Sequence, residues 1–99
     1  MKSIINSNYE STVKRGLITP STSGYDFVDK IKEETIELLE SLDDIRFSTQ
    51  AKQEHFDHFN EELADIILVC LNCAKHLDID IETELKNKIE KNYKRSETV

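Results

Sequence analysis

The sequence predicts an all-α fold, a four-helix bundle, and three observations carry that reading. The chain of 99 residues holds only two Gly and one Pro, so helix breakers are scarce. Glu, Lys, Leu and Ile are abundant, a composition that favours helices over a turn-rich β fold. Apolar residues return at steps of three and four, which lines them up along one side of a helix. The length suits one domain over residues 1–99, with a real core but little surplus, so an interface between subunits would matter to burial.

The first helix is expected from about Ser3 to Lys14, short and weakly amphipathic, closing near Gly16. Leu17 to Gly24 contains Pro20, hydroxyl residues and a glycine and reads as a loop, with Ser21, Thr22 or Ser23 available to cap the next helix. Residues 1–24 thus form an N-terminal helix and loop, and residues 25–95 carry the remaining helices. The second helix runs from about Tyr25 to Leu42. Phe27, Ile31, Leu38 and Leu42 make its buried stripe, widened by Val28 and Leu39. Asp43 to about Gln53 is a polar connection with Phe47 as its candidate anchor.

The third helix is expected from about Glu54 to Leu77, with Phe56, Phe59, Leu63, Ile67, Cys70 and Ala74 as its main stripe. Between Ile66 and Leu71 it is apolar on every side. One neighbour cannot cover a whole circumference, so this belt calls for several helices or a second subunit. Asp78 or Asp80 caps a fourth helix that continues to about Arg95 through Ile81, Leu85 and Ile89.

The net charge of −7 argues against a general binder of nucleic-acid backbones, because no basic stripe balances it. A phosphorylated small molecule remains compatible, since bridging cations reverse the local sign. The apolar belt is too short to span a bilayer, and the N-terminus lacks the apolar stretch of a signal peptide, so no membrane role and a cytoplasmic location are expected. Cys70 and Cys73 have C-x-x-C spacing, but they lie inside an apolar helical run. A redox pair normally opens a helix after a strand, and zinc needs two further ligands, so they read as reduced core thiols.

Two acidic pairs carry the chemistry. Glu34 and Glu37 on the second helix, and Glu62 and Asp65 on the third, each lie three residues apart and so face the same way. Each pair flanks an apolar stripe. If the helices pack side by side, four carboxylates converge, and such a group needs protons or a hard divalent cation. In this Glu-rich chain one such pair is commonplace, as Glu37/Glu40 and Asp26/Asp29 illustrate; the combination at two stripe edges is what stands out. On the fourth helix Lys88, Asn92 and Arg95 share one face and suit a phosphate clamp, although cations also suit a helix C-terminus by its dipole. His55 and His58 read as surface residues. A ferritin-like di-iron site would need Glu three positions before each His, and no His here has one. A Gly-rich phosphate loop, a nucleophile elbow and a Ser/His/Asp arrangement are all missing.

The segment from Lys30 through Glu33, Glu34 and Glu37, then Glu61-Glu62-Leu-Ala-Asp65 and finally Lys88, Asn92 and Arg95, resembles the MazG-like all-α nucleoside triphosphate pyrophosphohydrolases. The resemblance covers about Phe27 to Arg95, and Val13-Lys-Arg-Gly-Leu-Ile-Thr-Pro20 is similar to the lead-in of some short members. It implies Mg²⁺, with Mn²⁺ as a substitute, held by Glu34, Glu37, Glu62 and Asp65. It further implies cleavage of a nucleoside triphosphate, a dNTP foremost, to the monophosphate and pyrophosphate. Lys88, Asn92 and Arg95, with Lys30, would grip the substrate. Glu33 or Glu61 is a candidate for orienting water, and Tyr9, Tyr25, Phe47 and Tyr93 are candidates for base stacking. The resemblance implies a homodimer, with a tetramer open. Two alternatives stand beside it: a phosphoribosyl-ATP pyrophosphohydrolase, which shares the fold, and a noncatalytic helical oligomerisation or regulatory module.

Overall fold

The computed structural model describes residues 1–97, and within them the chain forms four helices and no strand. They are α1 (Lys2–Lys14), α2 (Gly24–Arg46), α3 (Gln53–His76) and α4 (Ile81–Glu97). Helix α1 ends as expected. Gly16 takes a left-handed φ of 74°, and its N–H and that of Leu17 bond back to Val13 and Thr12. This is a Schellman turn, which satisfies the last carbonyls and favours a residue without a Cβ. Of the candidate caps for α2, Ser23 is the one used. Its N–H donates to the Asp26 carboxylate at 2.8 Å, and its hydroxyl accepts from the Asp26 N–H.

Helix α2 runs past the expected end at Leu42 to Arg46. Asp43 and Asp44 do not break it, because Ser41 is buried and Ile45 half-buried on the inner face that Leu38 begins. Phe47 does not anchor the connection: it is 72% exposed, with the Arg46 guanidinium 5.2 Å above its ring. At the far end of α3, Asp78 adopts φ 57° in a second Schellman turn, with its N–H bonded to Lys75 and that of Ile79 to Ala74. Asp80 rather than Asp78 then caps α4, accepting from the Thr83 N–H and hydroxyl; these bonds hold its carboxyl below the usual range.

Helices α2 and α3 pack along each other, joined by residues 47–52, and α1 lies on α3. Ile18, Phe27, Leu71 and Ala74 are the buried apolar residues. A polar seam ties α1 down. Asn8 donates to Asn72 at 2.9 Å, Asn72 donates to Thr12 at 3.1 Å, and the Thr12 hydroxyl donates to the Asn8 carbonyl. His76 pins the loop: its Nε2 donates to the Thr22 carbonyl at 2.7 Å, which leaves Nδ1 to accept from the Tyr9 hydroxyl at 2.9 Å. The Phe27 ring lies 5.4 Å from its imidazole.

Helix α4 stands apart. It buries no residue, and a contact at its start sets Glu82 3.5 Å from the Met1 amino group. The protomer is accordingly open, with a radius of gyration of 16.5 Å against about 13 Å for a compact domain of this length. Most of the stripe expected to be core on α3 is exposed: Phe56, Leu63, Ile67 and Cys70 all face out, as do Val28, Leu39 and Leu42 of α2. Cys70 is therefore not a core thiol, and Cys73 is half-buried; both are free. The face that α3 turns to α2 is the one carrying Phe59, Glu62, Ile66 and Val69. Among the described residues no helix is long and apolar enough to cross a membrane.

Candidate metal centre and adjoining cavity

The α2–α3 seam brings Glu34 and Glu62 face to face in its middle. Glu34 sits on the same α2 side as Phe27 and Ser41, and burial of those neighbours carries it in with them, so that it is only 6% exposed. Glu62 is 9% exposed, and Asp65, one turn on, stands at the open edge. Single carboxylate oxygens from Glu34, Glu62 and Asp65 all lie within 4.8 Å of one another. Glu37 faces the same group. Its carboxyl is pushed above the usual range, first by the charge of Glu34, then by burial, a hydrogen-bond contact with Glu34 and the charge of Glu62. Three of the four acidic residues expected to converge, Glu34, Glu62 and Asp65, thus lie together, and Glu37 adjoins Glu34 and Glu62 without being one of that group.

Partners for these charges are few. Lys30 lies 3.1 Å from Glu34 and 3.6 Å from Glu33, and that pairing, led by its hydrogen bond to Glu34, raises the Lys30 pKa. His58 Nε2 is 3.7 Å from Glu62, one turn away on the exposed side. Each buried glutamate still has one oxygen, Oε2, enclosed by protein and without a hydrogen-bond partner. A buried carboxylate oxygen with nothing to accept from is expensive. Three carboxylates that each bring a hard oxygen donor close to the others, two of them also carrying an orphaned oxygen, match the donor type that Mg²⁺ and Mn²⁺ prefer. The residues present therefore fit a divalent cation.

Beside the cluster opens a cavity of about 420 Å³ between α1, the 17–22 loop, α2 and α3. Glu34 and Asp65 form one wall with Lys30 and Asp26. Asn8, Thr12, Arg15 and Asn72 add polar groups, and Ile18, Phe27, Leu68 and Val69 an apolar floor. This mixture, apolar surface with a few placed polar groups, is typical of small-molecule sites. Sequence reasoning did not single out Asn8, Thr12, Arg15 or Asn72. The signals available were an Asn directly after the apolar belt and an Arg immediately before the closing glycine.

The fourth-helix face is not brought to this site within the protomer. Lys88, Asn92 and Arg95 all lie on exposed α4, and none lines the cavity. Nor do the aromatic candidates for stacking: Tyr25, Phe47 and Tyr93 are exposed, and Tyr9 is engaged with His76. Glu33 and Glu61 are exposed, Glu33 paired with Lys30. His55 caps α3, accepting from the Lys52 N–H at 3.0 Å.

Searches of curated proteins and of solved structures gave no match. A family model, that of the MazG-like family, matches residues 24–98, the stretch that carries both acidic pairs and the α4 face. With three quarters of its length so matched, the chain belongs to the MazG-like family.

Proposed function

We propose that the protein is a Mg²⁺-dependent nucleoside triphosphate pyrophosphohydrolase, acting on a dNTP or NTP to give the monophosphate and pyrophosphate. Membership of the MazG-like family points to nucleotide pyrophosphohydrolase activity in general. The observation that carries the finer reading is the pair of buried, unpartnered oxygens, Glu34 Oε2 and Glu62 Oε2, set against Asp65 beside a nucleotide-sized cavity. Glu34, Glu37, Glu62 and Asp65 would hold the cation. Bound there, it would supply charge neutralisation for the phosphates and a more acidic water. The carboxylates cannot approach a triphosphate unaided, because like charges repel. Lys30 sits where it can move from Glu34 to a phosphate oxygen, and the apolar floor excludes water from one side of the nucleoside.

The working unit in this reading is a homodimer. The cavity takes Asp26, Lys30 and Glu34 from one flank of α2, and Asp65, Leu68 and Asn72 from one flank of α3. Val28, Leu39 and Leu42, with Phe56, Leu63, Ile67 and Cys70, lie on the other flanks of the same two helices and so share the opposite side. A continuous exposed apolar face of this kind suits an isologous interface. The second copy would also be the source of the Lys88, Asn92 and Arg95 face, which in the protomer is held away from the cavity.

Incubation with each dNTP and NTP, and with phosphoribosyl-ATP, in the presence of Mg²⁺ tests the reading. Pyrophosphate release that stops on chelation is expected. No release from any nucleotide, at protein concentrations that ensure assembly, would refute it.

A further inference from the structure

The cavity wall opposite the carboxylates is built by residues 8–22, which lie outside the segment that the family model matches. Within it, Arg15 is the notable charge. Every other charged group lining the cavity has a role or a neighbour of opposite sign or belongs to the acidic cluster: Asp26 caps α2, Lys30 pairs with Glu34, and Asp65 joins Glu34 and Glu62. The Arg15 guanidinium has neither an ion pair nor a hydrogen bond among the described residues. Arg15 is exposed, as are other cations unpaired among the described residues, such as Lys14 and Lys32; what sets it apart is that it lines the cavity.

Its placement is fixed, not incidental. Helix α1 runs antiparallel to α3: Met1 lies beside Glu82, and Asn8 bonds to Asn72 and to the Leu68 carbonyl. Arg15 lies seven residues beyond Asn8, and Asp65 lies seven before Asn72. On antiparallel helices both steps cover about 10 Å in the same direction, so Arg15 is brought level with Asp65. The Asn8–Asn72–Thr12 seam locks that register, and the Schellman turn at Gly16 stops the helix immediately after Arg15. A cation at a helix C-terminus needs no further reason than the dipole. That effect does not explain why this one lines the cavity.

We infer that Arg15 is a substrate-binding residue: its guanidinium grips phosphate oxygens of a nucleotide whose metal-coordinated face lies on the Glu34–Glu62–Asp65 cluster. This rests on the pyrophosphohydrolase reading and assigns to it a cation from the N-terminal segment. The planar fork of arginine matches a phosphate bidentately, which lysine cannot do. The Asn8–Asn72–Thr12 seam is then a positioning device that holds Arg15 at the level of the cluster.

The test is calorimetric binding of an α,β-methylene nucleoside triphosphate with Mg²⁺, alongside turnover of the cognate nucleotide. Arg15→Ala is expected to weaken binding at least tenfold and to flatten its salt dependence. Arg15→Lys recovers part of the loss, and Lys14→Ala, one residue away and off the cavity wall, changes nothing. Melting temperature without nucleotide falls by no more than it does in Lys14→Ala, because the Arg15 side chain makes no ion pair or hydrogen bond among the described residues and both changes remove only a cation from the α1 C-terminus. Equal binding by wild type and Arg15→Ala, or an equal loss in Lys14→Ala, would overturn the assignment while leaving the pyrophosphohydrolase reading intact. A wild type that neither binds nor cleaves any nucleotide would overturn both.

Discussion

The two sides of the α2–α3 hairpin break the ordinary rule of burial in opposite directions. On the cavity side, Glu34 and Glu62 are buried with an oxygen each left unpartnered. On the other, Phe56, Leu63, Ile67, Val28, Leu39 and Leu42 stand exposed. Each departure is costly for a lone protomer, the first by desolvation and the second by apolar hydration. In the proposed function each would be relieved by something from outside, a cation on one side and the apolar surface of a second copy on the other. The protomer therefore reads as part of a larger unit, and its two faces can be perturbed separately.

The largest effect should come from the acidic side. Glu34→Gln or Asp65→Asn is expected to reduce pyrophosphate release at least about a hundredfold, since even residues that only support metal ligands cost ten- to a hundredfold when lost. Far-ultraviolet circular dichroism should show the helices unchanged, and without metal Glu34→Gln should melt no lower than wild type, because the relief of repulsion among the clustered carboxylates offsets the loss of the half-exposed Lys30 pair. Full activity in either variant would mean that the cluster is not the site.

On the apolar side, Leu63→Glu combined with Ile67→Glu places two charges on the exposed face. Sedimentation should show a monomer at concentrations where the wild type is a dimer, with Mg²⁺ binding kept and turnover reduced. A dimer that survives both changes would assign the interface to another surface.

The pH response separates the faces again. Glu37 has a raised pKa in the folded protein, so its ionised form is disfavoured there relative to the unfolded chain. The metal-free protein should then lose stability as pH rises from 4.5 through the raised value, and regain it as pH falls. Mg²⁺ requires the ionised form, so its stabilising effect should be full above that window and fade below it. Thermal melts with and without Mg²⁺ across this range measure both trends. Mg²⁺-induced stabilisation that does not depend on pH would remove Glu37 from the cluster.

The smallest effect lies away from both faces. Ser23→Ala removes the hydroxyl that caps α2 and is expected to cost about 1 kcal/mol, read by denaturant unfolding, with no change in nucleotide affinity beyond that.

Much of this was legible in local sequence. Gly16 ends α1 because a left-handed residue is needed there, Ser23 caps α2, and Asp80 caps α4; each effect acts within a few residues. The acidic pairs were legible for the same reason, since a three-residue step fixes which side of a helix both carboxylates share. What escaped was long-range. Periodicity marks Phe56, Leu63 and Ile67 as apolar, but it does not distinguish a face covered within the chain from one left for a partner. The same ambiguity made Cys70 look like core. The Asn8–Asn72 bond joins residues 64 apart, and although Arg15 stands out locally beside Gly16, nothing local places it at the cavity. Helix α2 outran its expected end because the pair Asp43-Asp44 looked like a break, while Ile45 continued the inner stripe.

In the proposed function the orphaned oxygens of Glu34 and Glu62 hold a divalent cation. Titrating Mg²⁺ into the nucleotide-free wild type and into the Glu34→Gln, Glu62→Gln double variant by calorimetry tests it most directly. Saturable binding to the wild type, absent from a folded double variant, is the predicted result. Equal heats from both proteins, or no binding to the wild type up to the concentrations that support pyrophosphate release, would contradict it.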